Sequence, residues 1–450
     1  MLVESLRYKS KYHVDAIDVK KELKKHMLAD GFDFILDLYT SQGSDLRESI
    51  NGRSFLDMFT CYASMPIGMN HPKMIDPRFL EYIGKVALNK PSNSDIYTSE
   101  LATFVKTFFE IAVPKHFKYG FFIEGGGLAV ENALKAAFDY KIRRNFRKGC
   151  TTERGTQILH FNEAFHGRTG YTMSLTNTDP KKVKLFPKFD WARILNPKIT
   201  FPLNEENYDK VIAAEKISIE AIKKAYRDNP DDIAGIIIEP IQGEGGDNHF
   251  RNEFLQQLKD IAHENDSLLI FDEVQTGVGL TGSMWAHEQM GVEPDIMAFG
   301  KKMQVCGILV GDKIDEEPEN VFKVSSRINS TWGGNLVDMV RATKYLEIIE
   351  EEKLVENAKE IGSYLGERLY ELKCEFSELL YNDRGRGLFR AIDFTDVAKR
   401  DAFVKACFKN QMIILPSGSN AIRFRPALNI SRAEIDKGMD IIIKSIKEVI

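Results

Sequence analysis

The sequence has few cysteines, and they are scattered. Five occur among 450 residues, none in a CxxC pair, and the nine histidines include no HExxH motif. An odd number of separated cysteines argues against a disulfide framework and against a cysteine-rich zinc site. The sequence therefore predicts a protein of the reducing cytoplasm that holds no structural metal.

The sequence also lacks an excess of either charge and any long apolar run. It has 61 Lys plus Arg against 66 Asp plus Glu, a net charge of −5. Nucleic-acid binding needs surplus cations, and a membrane span needs about 18 consecutive apolar residues. The N-terminal 30 residues mix charges and lack the apolar segment of a secretory signal. We expect no nucleic-acid partner and no membrane association.

Short β-branched runs alternate with longer helical patterns through the middle of the chain. Each run is apolar and is followed by polar residues or glycine, which is typical of a parallel sheet with crossover helices. Ligands gather at the ends of such strands. The predicted strands are 119–123, 157–161, 233–239, 268–272 and 295–299.

From about residue 335 the pattern changes to long charged helices, 337–351 and 353–372. Strands at 385–395 and 411–416 and a final helix from about Ser431 follow. We predict an α/β fold with a large domain at 61–334 and a smaller α+β domain at 335–450. The N-terminal segment, 1–60, is expected to join the small domain.

A glycine-rich turn lies between the predicted strand 119–123 and a helical pattern. Because Gly125, Gly126 and Gly127 lack side chains, the backbone can approach an anion closely, and the helix start offers free N–H groups. No Gly-Lys-Ser/Thr follows, and the dinucleotide-binding pattern is incomplete. The turn is either a phosphate-binding site or a plain tight turn.

Two ionisable residues follow predicted strands. Asp272 closes strand 268–272, and Lys301 follows strand 295–299. A buried carboxylate needs a cation to stay ionised, and a buried lysine is uncommon unless paired, so a structural ion pair accounts for both. Together with the glycine turn they also suit pyridoxal phosphate, with the lysine as its Schiff base and the aspartate protonating its ring nitrogen.

The segment after the predicted strand 157–161 contains two further candidates. The ring of Phe165 can lie flat on a cofactor ring, and Arg168 can hold a carboxylate through two parallel N–H bonds. A phenylalanine in this position is more often part of the core. The cofactor interpretation therefore depends on all of these features together.

The order and spacing of these motifs resemble the class III pyridoxal phosphate-dependent aminotransferases. The segments that carry the resemblance are FHGRTGYTMSLTNTDP, EPIQGEGGDNH, DEVQTGVGLTG, GKK and STWGGN. Further segments, among them LNKPSNSDIY, FPKFDW, FGKKMQVCG and IRFRPAL, are similar to the lysine 6-aminotransferases of that family. The resemblance covers essentially the whole chain past residue 25.

The resemblance implies a fold-type I homodimer with active sites at the subunit interface, and a large domain with a mainly parallel seven-stranded sheet. It implies pyridoxal 5′-phosphate as the cofactor, with Lys301 as the Schiff-base lysine and Asp272 at the ring nitrogen. The other cofactor-binding residues would be Phe165 and Val274 on the ring faces, Gln275 at the phenolic oxygen, Gly126 and Gly127 at the phosphate, and Thr331 from the other subunit.

The resemblance also implies transfer of the ε-amino group of L-lysine to 2-oxoglutarate, giving L-glutamate and 2-aminoadipate 6-semialdehyde. Arg168 and Arg423 would bind substrate carboxylates, Glu244 would be the family's switch residue, and Gln275 would also border the substrate. Two alternatives stay open: ornithine or 4-aminobutyrate as the amino donor on the same fold, and a non-catalytic scaffold.

Three positions bear on these assignments. Gly127 stands where many members carry Ser or Thr, so backbone donors alone must bind the phosphate there. Leu280 replaces an arginine common in the class. Lys302 directly follows Lys301, so the choice between the two lysines rests on spacing.

Overall fold

A mainly parallel sheet of seven strands forms the centre of the computed structural model, which describes residues 8–450. Residues 1–7 of the predicted N-terminal segment lie outside the described residues. The strand Cys306–Gly311 is antiparallel to both of its neighbours, and the other strands are parallel. The predicted fold class is therefore confirmed. In spatial order the strands are Phe117–Ile123, Cys306–Gly311, Ile296–Phe299, Leu268–Asp272, Ile233–Ile238, Gln157–Phe161 and Arg193–Ile194.

Helices cover both faces of this sheet, as its residue pattern requires. Along Leu268–Asp272, Leu268 and Ile270 pack into one apolar cluster, whereas Leu269 and Phe271 pack into the other. Successive side chains of a strand point to opposite faces, so a run that is apolar at every position is buried on both sides. The longer helices are Pro77–Ala87, Ser99–Ile111, Gly126–Arg147, Glu205–Asp228, Asn252–Glu264, Leu336–Glu351, Leu354–Glu375, Val397–Lys409 and Arg432–Lys447. The shorter ones are Val19–Leu23, Thr60–Ala63, Thr172–Leu175, Pro180–Val183 and Ala286–Met290.

The C-terminal residues form a second, antiparallel sheet of four strands: Leu380–Arg386, Phe389–Phe394, Ala421–Phe424 and Leu415–Ser417. A three-stranded sheet contains Asp45–Arg47, Ser54–Asp57 and Met412–Ile413, so N-terminal and C-terminal residues share it. A two-stranded pair, Ile241–Gln242 and Asn248–His249, completes the set. The domain boundaries at 60 and 334 stay a prediction.

Two predicted strands were incomplete, and one strand of the central sheet was not predicted. The predicted strand 385–395 covers the end of the first strand, the turn and the second strand of a hairpin, because Gly387 adopts a left-handed φ of 52° at the turn. The predicted strand 411–416 divides between two sheets. The strand Cys306–Gly311 was not predicted, although its apolar run is bounded by glycine.

Among residues 8–450, no helix has the length and apolar character that a membrane span requires.

Candidate active site

The carboxyl ends of the central strands surround a cavity of about 220 Å³. Asp272 ends one strand, Lys301 follows the next, and the helix that begins at Gly126 follows a third. Ends of parallel strands meet at one edge of a sheet, which brings these distant residues together. The lining consists of Gly126, Gly127, Phe165, His166, Gly167, Glu239, Asp272, Val274, Gln275, Lys301 and Cys306.

Asp272 is buried and oriented by two hydrogen bonds. One oxygen lies 2.7 Å from Nδ1 of His166, and the other accepts the backbone N–H of Val274 at 3.1 Å. These two contacts set the direction of the carboxylate in the cavity. The arrangement can keep a proton on a basic ring nitrogen.

The residue after Asp272 fixes the loop that follows. Glu273 accepts hydrogen bonds from the backbone N–H groups of Ala286 and His287, at 2.7 and 2.9 Å, and from the hydroxyl of Thr276 at 2.8 Å. Burial raises the pKa of Glu273, but these bonds and the His287 ring outweigh it and leave the pKa below its ordinary value. Asp272 therefore faces the cavity, whereas Glu273 stabilises the loop that follows it.

The two adjacent lysines have different environments. Lys301 lines the cavity, with a left-handed backbone φ of 50°. Lys302 is buried and donates to the backbone carbonyl of Gln275 at 2.8 Å. Burial, with Arg423 nearby, lowers the pKa of Lys301 to about 8, so a reactive neutral amine is available near neutral pH. Burial holds the pKa of Lys302 well below its ordinary value.

The start of the helix Gly126–Arg147 provides anion donors. The N–H groups of a helix's first turn have no partner within the helix, and they point along the positive end of its dipole. A Cβ at Gly126 would lie 3.2 Å from Val274, and one at Gly127 would lie 3.3 Å from the Thr169 hydroxyl. Glycine at both positions keeps this part of the cavity open.

Flat or branched side chains and one amide complete the cavity. Phe165 and Val274 both line it, and so does Gln275. The side-chain carbonyl of Gln275 accepts a hydrogen bond from Arg425 at 3.1 Å, which leaves the amide's NH₂ group as the donor for a ligand. Arg425 is itself buried and ion-paired with Asp247.

A charged cluster adjoins this cavity through Gln275, which also lines a small cleft with Tyr62 and Arg423. Glu244 lies 3.1 Å from Arg423 and 2.6 Å from Nζ of Lys182. Burial raises the pKa of Glu244, but the two cations lower it by more, and the net shift is downward. The carboxylate is therefore ionised at neutral pH.

Two predicted site residues lie neither in the cavity of the single chain nor in the adjoining charged cluster. Arg168 and Thr331 both have exposed side chains. The backbone carbonyl of Thr331 accepts a hydrogen bond from the hydroxyl of Ser92 at 2.5 Å, which ties its loop to the segment 92–94. The other predicted residues lie in the cavity or in the adjoining charged cluster.

Sequence reasoning missed three neighbours of the site. His166 stands next to Phe165 in a quoted motif but was given no role. Glu239 directly follows the buried strand Ile233–Ile238, and burial raises its pKa to about 7. Lys182 belongs to a charged run, DPKKVK, that gave no signal of a role in the site.

These residues match the chemical requirements of pyridoxal phosphate. The cavity offers an amine, a fixed carboxylate, side chains for two ring faces and anion donors at a helix start. Such a site at the carboxyl edge of this sheet defines a pyridoxal phosphate-dependent enzyme of fold type I.

A family model described as aminotransferase class-III matches residues 30–446, and the chain belongs to that family. It is accordingly a pyridoxal phosphate-dependent transaminase.

The chain is similar to several characterised relatives. It is 50% identical over 419 residues to the L-lysine-epsilon aminotransferase of Mycobacterium tuberculosis, covering 93% of each chain. It is 46% identical over 439 residues to that of Streptomyces clavuligerus, covering 97% of this chain and 96% of the relative. A 4-aminobutyrate aminotransferase of Emericella nidulans is 32% identical, covering 94% and 86%. The solved lysine aminotransferase of M. tuberculosis superposes with a TM-score of 0.95 at 48% identity, covering 97% of this chain and all of that one.

Proposed function

We propose that the protein transfers the ε-amino group of L-lysine to 2-oxoglutarate in a ping-pong reaction, giving L-glutamate and 2-aminoadipate 6-semialdehyde. The observation that carries the proposal is the contrast in identity: 46–50% to lysine-ε aminotransferases against 30–32% to 4-aminobutyrate aminotransferases. The charged cluster next to the cavity supports it, because the two substrates present their carboxylates at different distances from the reacting carbon.

We assign the chemistry of the cavity to Lys301 and Asp272. When bound, pyridoxal phosphate withdraws the electron pair left by a departing proton. Lys301 would hold the cofactor through its amine, and the same amine, once free, would remove the proton from Cε of lysine. Asp272, oriented by His166, keeps the ring nitrogen protonated. Glycine N–H groups at 126 and 127 hold the phosphate, helped by Thr331 of the second subunit.

Substrate recognition requires two carboxylate sites. Lysine enters with its ε-amine first, so its carboxylate lies far from the cofactor, whereas 2-oxoglutarate has one carboxylate near and one far. Arg168 holds the far carboxylate of both substrates, and Arg423 holds the near carboxylate of 2-oxoglutarate alone. Pairing with Glu244 neutralises Arg423 while lysine occupies the site. Without this pairing, a buried cation beside the aliphatic chain of lysine would cost roughly several kcal/mol.

Replacing Glu244 tests this pairing. In Glu244→Ala, Arg423 stays charged and unpaired beside bound lysine, so the lysine half-reaction should slow by about tenfold or more, while the 2-oxoglutarate half-reaction is retained. Rapid-mixing absorbance measures each half-reaction separately. Glu253→Ala is the control, because Glu253 is an exposed glutamate that pairs with Arg251 away from the cavity. An unchanged lysine half-reaction in Glu244→Ala would contradict the pairing.

The second subunit is part of the proposal. Thr331 is exposed in the single chain, as expected for a residue that completes a neighbouring site. Apolar side chains are also exposed at Leu88, Ile96, Tyr97 and Trp332, near the Thr331 loop in sequence or space. Surfaces of this kind support association with a second copy. A cytoplasmic location, predicted from the unpaired cysteines, belongs to the same proposal.

An absorbance experiment distinguishes lysine from the alternative donors. Protein with bound cofactor should have a visible band near ~420 nm that fades with L-lysine and returns with 2-oxoglutarate. Fading with ornithine or 4-aminobutyrate, but not with lysine, would keep the family chemistry and reject the donor. If no visible band develops after the cofactor is added, the non-catalytic scaffold would be the remaining interpretation.

A further inference from the structure

Glu244 has a second cationic partner besides Arg423. Its Oε2 atom lies 3.1 Å from Nη2 of Arg423, and its Oε1 atom lies 2.6 Å from Nζ of Lys182. The Lys182 and Glu244 side chains are 25% and 27% exposed, whereas Arg423 is only 5% exposed. One carboxylate is therefore shared between an inner cation and an outer cation.

Lys182 reaches Glu244 from a separate segment of the chain. It lies in the short helix Pro180–Val183, which Asp179 caps by accepting the backbone N–H of Lys181. Its Nζ atom is 5.3 Å from the ring centroid of Phe165, which lines the cofactor cavity. Lys182 thus lies beside both the cavity wall and the carboxylate that neutralises Arg423.

The outer cation matters when Arg423 exchanges partners. If a dicarboxylate takes Arg423, Glu244 must leave it, and a largely buried carboxylate without a partner is costly. The bond to Lys182 is already formed at the other oxygen, so Glu244 can move away and remain paired. In the lysine complex Glu244 stays paired with Arg423. The bond to Lys182 is then only one of the two ion pairs that Glu244 makes.

We propose that Lys182 is a positioning residue that determines acceptor specificity: it holds Glu244 when the near carboxylate of the dicarboxylate displaces Glu244 from Arg423. The proposal rests on the function proposed above, in which lysine and a 2-oxo dicarboxylate use the same cavity in turn.

Removing the Lys182 ammonium should affect one half-reaction. In Lys182→Met, kcat/KM for 2-oxoglutarate should fall about tenfold, through KM, because displaced Glu244 loses its remaining partner. The kcat/KM for lysine should change less than about twofold, because Glu244 stays paired with Arg423 in that complex. In a ping-pong reaction, each of these constants reports its own half-reaction.

Three measurements separate this role from a general structural one. Lys181→Met removes the same charge from the same short helix and should change neither constant. Glutarate, an unreactive dicarboxylate, should bind Lys182→Met holoenzyme about tenfold more weakly than wild type by calorimetry. In a Glu244→Ala background, Lys182→Met should have no further effect on glutarate binding, because Lys182 acts through Glu244.

Each alternative outcome overturns the proposal. Equal losses for lysine and 2-oxoglutarate would make Lys182 a direct ligand of the far carboxylate. Additive losses in the double variant would exclude action through Glu244, and unchanged glutarate affinity would leave Lys182 without this role. If wild-type enzyme does not accept lysine, the proposed function fails, but calorimetry with glutarate still decides the role of Lys182.

Discussion

Lys301→Ala should lack the visible band of the cofactor-bound protein and should lose transamination by about 10⁴-fold or more. Lys301 lines the cavity, and its lowered pKa of about 8 leaves a larger neutral fraction near neutral pH than an ordinary lysine has. In our account the same amine binds the cofactor and moves the proton, so its loss removes both functions. Absorbance of the purified variant and single-turnover rates with lysine measure the two effects.

Lys302→Met is the matched control for that experiment. Lys302 directly follows Lys301 in the sequence, but its side chain donates to the backbone carbonyl of Gln275 and does not line the cavity. Once thermal unfolding confirms that it is folded, this variant should keep the visible band and turnover within about tenfold of wild type. The assignment of Lys301 would be wrong if Lys301→Ala kept the band while Lys302→Met lost it.

Asp272→Asn should slow proton removal in both half-reactions by about 10² to 10³-fold while the protein still binds its cofactor. The amide has nearly the same shape as the carboxylate but carries no charge to hold a proton on the ring nitrogen. The His166 contact at 2.7 Å orients the carboxylate, so the charge is applied at a fixed place. Rapid-mixing absorbance with lysine and then with 2-oxoglutarate measures the two rates.

A second buried aspartate in the same sheet provides the control. Asp295 also pairs with a histidine, His263 at 2.9 Å, but it precedes its strand and so lies at the opposite edge of the sheet from the cavity. Asp295→Asn should lower the free energy of unfolding and leave the proton-transfer rates within a few-fold of wild type, roughly the range of a distant change. Equal loss of rate in both variants would mean that Asp272 acts through stability alone.

The site residues that could be predicted from the sequence follow strands. Asp272 and Lys301 stand at the ends of short apolar runs, and parallel strands bring such ends to one edge. Glu239 gave the same signal at the end of Ile233–Ile238 and was not used. His166 was quoted within a motif, but nothing in its position indicated that its ring would reach Asp272.

Other features depended on contacts between distant segments. Lys182 and Glu244 meet only because the short helix Pro180–Val183 lies near the loop after Ile241–Gln242, and their sequence neighbours do not indicate this. The predicted strand 385–395 ran through the turn of a hairpin, because the sequence pattern does not show that Gly387 adopts a left-handed φ. Arg168 and Thr331 lie outside the cavity of the single chain. This could not be predicted, because sequence motifs do not specify which subunit completes a site.

The central claim is that the ε-nitrogen of lysine moves to the acceptor. The most direct test supplies L-lysine labelled with nitrogen-15 at either the ε or the α position, together with 2-oxoglutarate, and measures the label in glutamate by mass spectrometry. Our account predicts labelled glutamate from the ε-labelled substrate and unlabelled glutamate from the α-labelled one. Label arriving from the α position, or no glutamate from lysine at all, would contradict it.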